Sequence, residues 1–198
     1  VSYETACLPD FLNRVAERHP QKAALNFQGF TITFSELKEW VERFAGCLYD
    51  FGVRKGDSVA ILLPNTIPCV VAYYAILRLG AVVVMNNPLY SDRELHHQFN
   101  DSKSKVLITL DLLGNRMIDL RPKTGIKQII YTSIGDYLPF PKNLLFPLVA
   151  KKKKLAADVK SAPDVYHWKK LLKNGAGTKA PQEKLSFDDV AMYKYTGG

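Results

Sequence analysis

Residues 56–90, GDSVAILLPNTIPCVVAYYAILRLGAVVVMNNPLY, constrain the fold more than any other stretch. An apolar run over 58–63 is interrupted by Pro64-Asn65, and a helix-period stretch follows to Leu79. Gly80 ends that stretch, and a second apolar run over 81–85 leads into Asn87-Pro88. The pattern predicts strand, loop, helix and strand, the βαβ unit of a parallel sheet. Neither run alternates polar with apolar residues, which predicts a sheet covered on both faces.

The flanking sequence keeps the same rhythm. A first helix is expected over 10–18, with Phe11, Leu12 and Val15 on one face and Pro20 as its stop. Short strands over 23–27 and 31–33 flank Gln28-Gly29 as a hairpin. Thr33 and Glu36 have the spacing of a capping box, and the helix they open carries Leu37, Val41, Phe44, Ala45, Leu48 and Phe51 on one stripe until Gly52 ends it. Ser91 and Glu94 repeat the box before a helix to about Asn100. Strands over 105–109 and 126–132 bracket a short helix over 112–120. The expected fold is α/β: a three-layer α-β-α arrangement around a mainly parallel, doubly wound sheet, with a small N-terminal hairpin and an irregular basic insertion.

The insertion is residues 133–184, where Pro139, Pro141, Pro147, Pro163 and Pro181 break the rhythm. One helix, over 165–172, is expected inside it, and the strand pattern resumes over 190–195. The formal charge of the chain is +8, yet residues 121–184 hold 14 Lys/Arg against 4 Asp/Glu, a net +10 that accounts for the whole imbalance. Apolar residues 138–150 run directly into Lys151, Lys152, Lys153 and Lys154. Leu and Phe beside a lysine block suit an anionic membrane surface, and equally a hydrophobic flap packed on the domain with its lysines solvated. A nucleic-acid surface is not expected, because Tyr166 and Trp168 are the only aromatics near the charge.

Several chemistries are excluded by pattern. An apolar content of 47% argues against disorder, and no apolar run approaches the roughly 18 residues of a spanning helix. The N-terminus has no signal segment, so a cytoplasmic protein, at most peripheral to a membrane, is expected. Cys7, Cys47 and Cys69 are odd in number and widely spaced, which fits reduced thiols rather than a disulfide frame. His96 and His97 are adjacent on a helix and face different ways, whereas a metal pair needs i and i+4. His19 reads as a helix-end residue, His167 as a surface or half-buried packing residue, and Asp188-Asp189 as a strand-entry cap. There is no Gly-x-Ser-x-Gly elbow, and no Gly-x-Gly-x-x-Gly follows the first strand of the βαβ unit. Thr196-Gly197-Gly198 does follow a strand pattern, as either a plain turn or the start of a phosphate-cradling loop.

Four stretches together carry a resemblance: 33–37; 52–102, GVRKGDSVAILLPNTIPCVVAYYAILRLGAVVVMNNPLYSDRELHHQFNDS; 135–142, GDYLPFPK; and the final Tyr195-Thr196-Gly197-Gly198. The chain resembles the adenylate-forming enzymes, in particular long-chain fatty-acid–CoA ligases. Asn87-Pro88-Leu89-Tyr90 with Arg93-Glu94, and the lysine-rich insertion, lean toward the fatty-acyl branch. The resemblance implies a two-step reaction: ATP and a fatty acid give an acyl-adenylate and pyrophosphate, and the CoA thiol then displaces AMP. It implies ATP, Mg2+ and CoA for the full enzyme, and it maps Tyr195, Thr196, Gly197 and Gly198 onto the first residues of a phosphate loop.

Both ends of the chain read as cut, so the resemblance makes residues 1–198 an N-terminal subdomain lacking the rest of the loop, the acyl tunnel and the C-terminal lid. Such a piece is expected to hold no nucleotide or metal, to be inactive alone, and to expose apolar surface that favours a homodimer. No catalytic residue and no metal ligand is expected within it. An aryl- or amino-acid-activating relative, or a non-catalytic α/β module at a membrane surface, are the competing readings.

Overall fold

The computed structural model describes residues 6–153, 155–174 and 179–195. Helix α1 (Leu8–Arg18) ends at the exposed His19 before Pro20. Strands β1 (Ala23–Phe27) and β2 (Phe30–Thr33) form the antiparallel hairpin. Gln28 at φ 56° and Gly29 at φ 94° supply the two left-handed positions of a type I′ turn. Helix α2 (Phe34–Asp50) opens on the expected capping box: the Glu36 N–H donates to Thr33 Oγ1 at 3.2 Å, and the Thr33 N–H donates to Glu36 Oε2 at 2.7 Å. Leu37, Val41, Phe44, Ala45 and Leu48 are buried along its inner stripe.

The βαβ unit is β3 (Ser58–Leu62), α3 (Ile67–Arg78) and β4 (Val82–Met85), with β3 and β4 directly paired and parallel. Gly80, at φ +64°, closes α3, and a β-carbon there would run into Lys55 and Leu185. Next come α4 (Asp92–Asp101), begun by the Ser91–Glu94 box, β5 (Val106–Leu110), α5 (Asp111–Leu120) and β6 (Gln128–Thr132). Among the described residues the main sheet has six strands, all parallel, in the order β7-β6-β5-β3-β4-β8, where β7 is Val165–His167 and β8 is Met192–Lys194.

The three layers follow from the strand period of two. Val59, Ile61 and Leu63 point into one core with α1, α2 and α3, while Ala60 and Leu62 point into a second with α4 and α5. All five residues of β3 and of β5 are buried, as expected for a doubly covered parallel sheet. Cys47 and Cys69 are buried free thiols; burial, with Asp50 as a lesser cause, pushes Cys47 up to about 11.

The insertion is more ordered than its prolines imply. A 3-10 turn, Ile134–Tyr137, leads into helix α6 (Lys142–Lys153). The helix expected over 165–172 is corrected: Val165–His167 is a strand paired with β6, and α7 (Trp168–Asn174) starts only at Trp168. The sheet therefore resumes within the insertion. Val-Tyr-His is β-branched and aromatic, and Ile129 and Tyr131 of β6 offer its partners. The junction is held by Trp168, fully buried, whose ring lies 4.2 Å from that of Phe44 and whose Nε1–H donates to the Tyr137 hydroxyl at 2.8 Å.

Replacing Trp168 by Ala should cost about 3–5 kcal/mol in urea unfolding. Tyr137→Phe, which strands a buried indole N–H, should cost about 1–3 kcal/mol. A Trp168→Ala loss no larger than that of an exposed-site control such as Leu89→Ala would show that the edge strand folds without this anchor.

Candidate functional site

The strand order reverses between β3 and β5, because the chain passes from β4 back across β3 before forming β5. Open α/β sheets bind ligands at such a reversal, outside the carboxyl ends of the strands. That rim carries residues 64–66 after β3, 86–90 after β4, Asp111 after β5, 133–136 after β6 and Tyr195 after β8.

Two of these groups are closed upon themselves. Asp111 is buried and its carboxylate takes the Leu112 N–H at 2.8 Å. Burial raises its pKa, opposed by hydrogen bonds from Ser133 and from the backbone at Leu112 and Ala157. Ser133 and Asp136 form a third capping box that the sequence pattern hides, because Asp replaces the usual Glu. Asp136 accepts from Thr132 Oγ1 at 3.1 Å and from the Ser133 N–H at 2.9 Å, and lies 3.6 Å from His167 and 3.7 Å from Lys169. His167 is thus the half-buried packing residue expected of it. His96 and His97 do diverge: His96 meets Asn100 at 3.1 Å, and His97 stands edge-on to Tyr195.

The open part of the rim is at β4 and β8. Parallel pairing of Met85 with Lys194 brings Tyr195 level with Asn86. Asn86 is buried; its Nδ2 donates to Gln98 Oε1 at 2.6 Å, and its Oδ1 has no partner among the described residues. Tyr195 donates its hydroxyl to Asp101 Oδ2 at 2.6 Å, with a longer contact to the Gln98 carbonyl at 3.4 Å. Burial, then the hydrogen bond and charge of Asp101, push the phenol up to about 12. Tyr195 is therefore a pin: it ties the exit of β8 to α4 and so sets where the next residues leave the sheet. Thr196, Gly197 and Gly198 lie outside the described residues.

Gln98 and Asp101, which position Tyr195, carry no sequence signal beyond lying on the helix after a capping box. Asn86 has one, the polar residue at which a wholly apolar strand ends. Asp189 takes the Ser186 N–H at 2.7 Å and Lys55 at 2.7 Å, the strand-entry cap expected before β8. Among the described residues no three His, Cys, Asp or Glu side chains converge as a metal site. Beside β8 lies an open groove of about 810 Å³, bounded by residues 56–58, 101–105 and 192–195. It reaches toward the amino end of β3, away from the strand reversal, and Met192 and Tyr193 beside it are exposed. We read it as uncovered sheet surface rather than as a ligand pocket.

A family model described as "AMP-binding enzyme" matches residues 12–198. The chain belongs to this AMP-binding enzyme family. It is 37% identical over 192 residues to the long-chain-fatty-acid–CoA ligase of Bacillus subtilis (strain 168), covering 96% of this chain and 34% of that protein. This member thus spans about a third of the length of the curated relatives it matches. A long-chain-fatty-acid–CoA ligase from Archaeoglobus fulgidus shares the AMP-binding fold with a TM-score of 0.73 at 24% identity, over 100% of this chain and 36% of that one. An anthranilate–CoA ligase in complex with anthranoyl-AMP does so with a TM-score of 0.75 at 18% identity, over 96% and 32%. No helix among the described residues is long and apolar enough to cross a membrane.

The Tyr195 pin has a pH signature. A phenol raised in the folded state contributes stability that is complete below about pH 10 and is lost as pH rises through about 12. Ultraviolet titration of the protein minus Tyr195→Phe should show a phenolate with a midpoint near 12. Asp101→Asn should lower that midpoint part of the way, because burial is the larger cause. A midpoint near 10 in the unmodified protein would mean that Tyr195 is not held.

Proposed function

We propose that the chain is part of an ATP-dependent fatty-acyl–CoA ligase, one that converts a fatty acid and ATP to an acyl-adenylate and pyrophosphate and then passes the acyl group to the CoA thiol with release of AMP. The supporting observation is the 37% identity to a long-chain-fatty-acid–CoA ligase along nearly the whole chain. The structure suits that role, since β8 delivers Tyr195 to the carboxyl rim of a parallel sheet, and Thr196, Gly197 and Gly198 follow it in sequence. Backbone N–H groups of a glycine-containing loop leaving such a rim can converge on phosphate oxygens.

An aryl- or amino-acid-activating enzyme is the second reading, because an anthranilate–CoA ligase has the same fold. The fold alone does not choose between acids. Rim residues 64–66 and 86–90 carry no charged side chain, and the rim carboxylates Asp111 and Asp136 are engaged by their own neighbours. Identity to the fatty-acid enzymes therefore carries the choice.

Acid-dependent pyrophosphate release, measured on a protein of its relatives' full length that contains this chain, should favour fatty acids over benzoate and anthranilate by at least about tenfold in kcat/KM. A preference for the aryl acids would overturn the fatty-acyl reading and keep the family. The 198 residues by themselves present no metal-ligand cluster and no cationic loop residue at the rim among those described. Adenylation needs such groups to offset charge developing at phosphorus. Calorimetry of this chain with Mg-ATP should give a Kd weaker than roughly 1 mM; a micromolar value would refute the proposal that it carries only part of the nucleotide site.

A further inference from the structure

We propose that helix α6 is a lipid-facing helix that docks the protein on an anionic bilayer, with Leu144, Leu145, Leu148 and Val149 entering the interface. The helix is apolar on both its inner and its outer side, which an ordinary surface helix is not. Its inner side is Phe146, whose ring lies on Gly135, where any β-carbon would overlap it, and Ala150, which is 0% exposed. Its outer side is apolar: Leu144 is 65% exposed and Leu148 74% exposed, and Leu145 and Val149, also exposed, lie on the flank where the helix faces Ile134 and Leu138. At about 100° per residue, 144, 145, 148 and 149 fall within one outward arc opposite Phe146 and Ala150. Phe140, 78% exposed, extends the apolar surface just before the helix, and Leu155 extends it just after.

Exposed aliphatic side chains in a contiguous set mark an interaction surface, and the charge around this one selects its partner. Lys142 opens the helix and Lys151, Lys152 and Lys153 close it, with Lys154 next in sequence. Lys154 and the side chains of Lys151 and Lys152 lie outside the described residues; Lys142 and Lys153 are exposed. No acidic residue occurs between Asp136 and Asp158. Asp136, the nearest acid on the element packed against α6, is already engaged by Thr132, Ser133 and Lys169. The flanking lysines thus have no carboxylate of their own segment to neutralise them.

A second copy of this chain on the same face would oppose lysine with lysine. An anionic lipid surface satisfies both features at once, taking leucine below the headgroups and lysine among them. The inference does not depend on which acid the protein activates, or on whether it activates one.

Flotation with vesicles of phosphatidylcholine containing phosphatidylglycerol tests it. The chain should float with these vesicles, should bind pure phosphatidylcholine less, and should lose binding as salt rises from roughly 0.05 to 0.5 M. The double variant Leu144→Glu/Leu148→Glu should bind at least about tenfold less while keeping the parent circular dichroism and unfolding midpoint. Leu89→Glu, an equally exposed leucine elsewhere, should bind as the parent does. No flotation at low salt overturns the proposal, and so does flotation that survives the double variant. A dimer in sedimentation that the double variant dissolves, without vesicle binding, would assign the face to a second copy and overturn it too. Flotation of this chain but not of a protein of its relatives' full length that contains it would show that α6 is covered there, with the same consequence.

Discussion

The structure depends on β3 being covered from both sides. Its five residues are buried, and they divide by alternation between two separate cores. A parallel strand pairs with its neighbours only through crossover connections, so each pairing brings a helix onto one face. Here α3 covers one face on the way from β3 to β4, and α4 covers the other on the way from β4 to β5. That change of face is also what moves the chain from one flank of β3 to the other. The strand reversal, the three layers and the position of the rim are thus one consequence of burying the 58–63 run on both sides.

Among the described strands of the main sheet, coverage is weakest at the edge formed by β8. Its three residues are exposed, and Phe187 and Val190 before it are exposed as well. An edge strand of this kind needs to be held in place and kept from pairing indiscriminately. Lys55 clasps Asp189 at its entry and Tyr195 clasps Asp101 at its exit, with Lys194 between them. The two clasps lie on opposite ends of a three-residue strand, so the direction in which the chain leaves the sheet is set by side chains rather than by the short ladder alone.

Which of these features could be read from the residues depends on how far apart the interacting groups are in sequence. The βαβ unit, both Glu-containing capping boxes and the Gln28–Gly29 hairpin are local, and each forms within a residue or two of its expected bounds. The family resemblance rests on that same local block, and so does the fold class. β7 was hidden because three residues beside a helix-period stretch become a strand only when β6 offers an edge and Trp168 finds Phe44, over 120 positions away in sequence. The Tyr195–Asp101 and Asn86–Gln98 contacts are hidden for the same reason: hydrogen-bond partners across a sheet leave no spacing to recognise. The composition of 138–154 announced apolar and basic character, but not which side faces outward; that followed from Gly135 admitting the Phe146 ring.

The two functional features share one rim. The 3-10 turn that leads to α6 leaves the carboxyl end of β6, and Tyr195 leaves the carboxyl end of β8, with β5, β3 and β4 between them. Four strand spacings separate those exits, roughly 19 Å along the rim. A bilayer docked on α6 would therefore lie beside the rim that Tyr195 leaves, rather than behind the sheet. For a fatty acid that geometry has a physical advantage. Its chain gains little from water, and an enzyme whose entry side already rests on lipid spares the acid a full transfer through solvent before activation. An aryl acid, smaller and far more soluble, gains nothing comparable from such a surface.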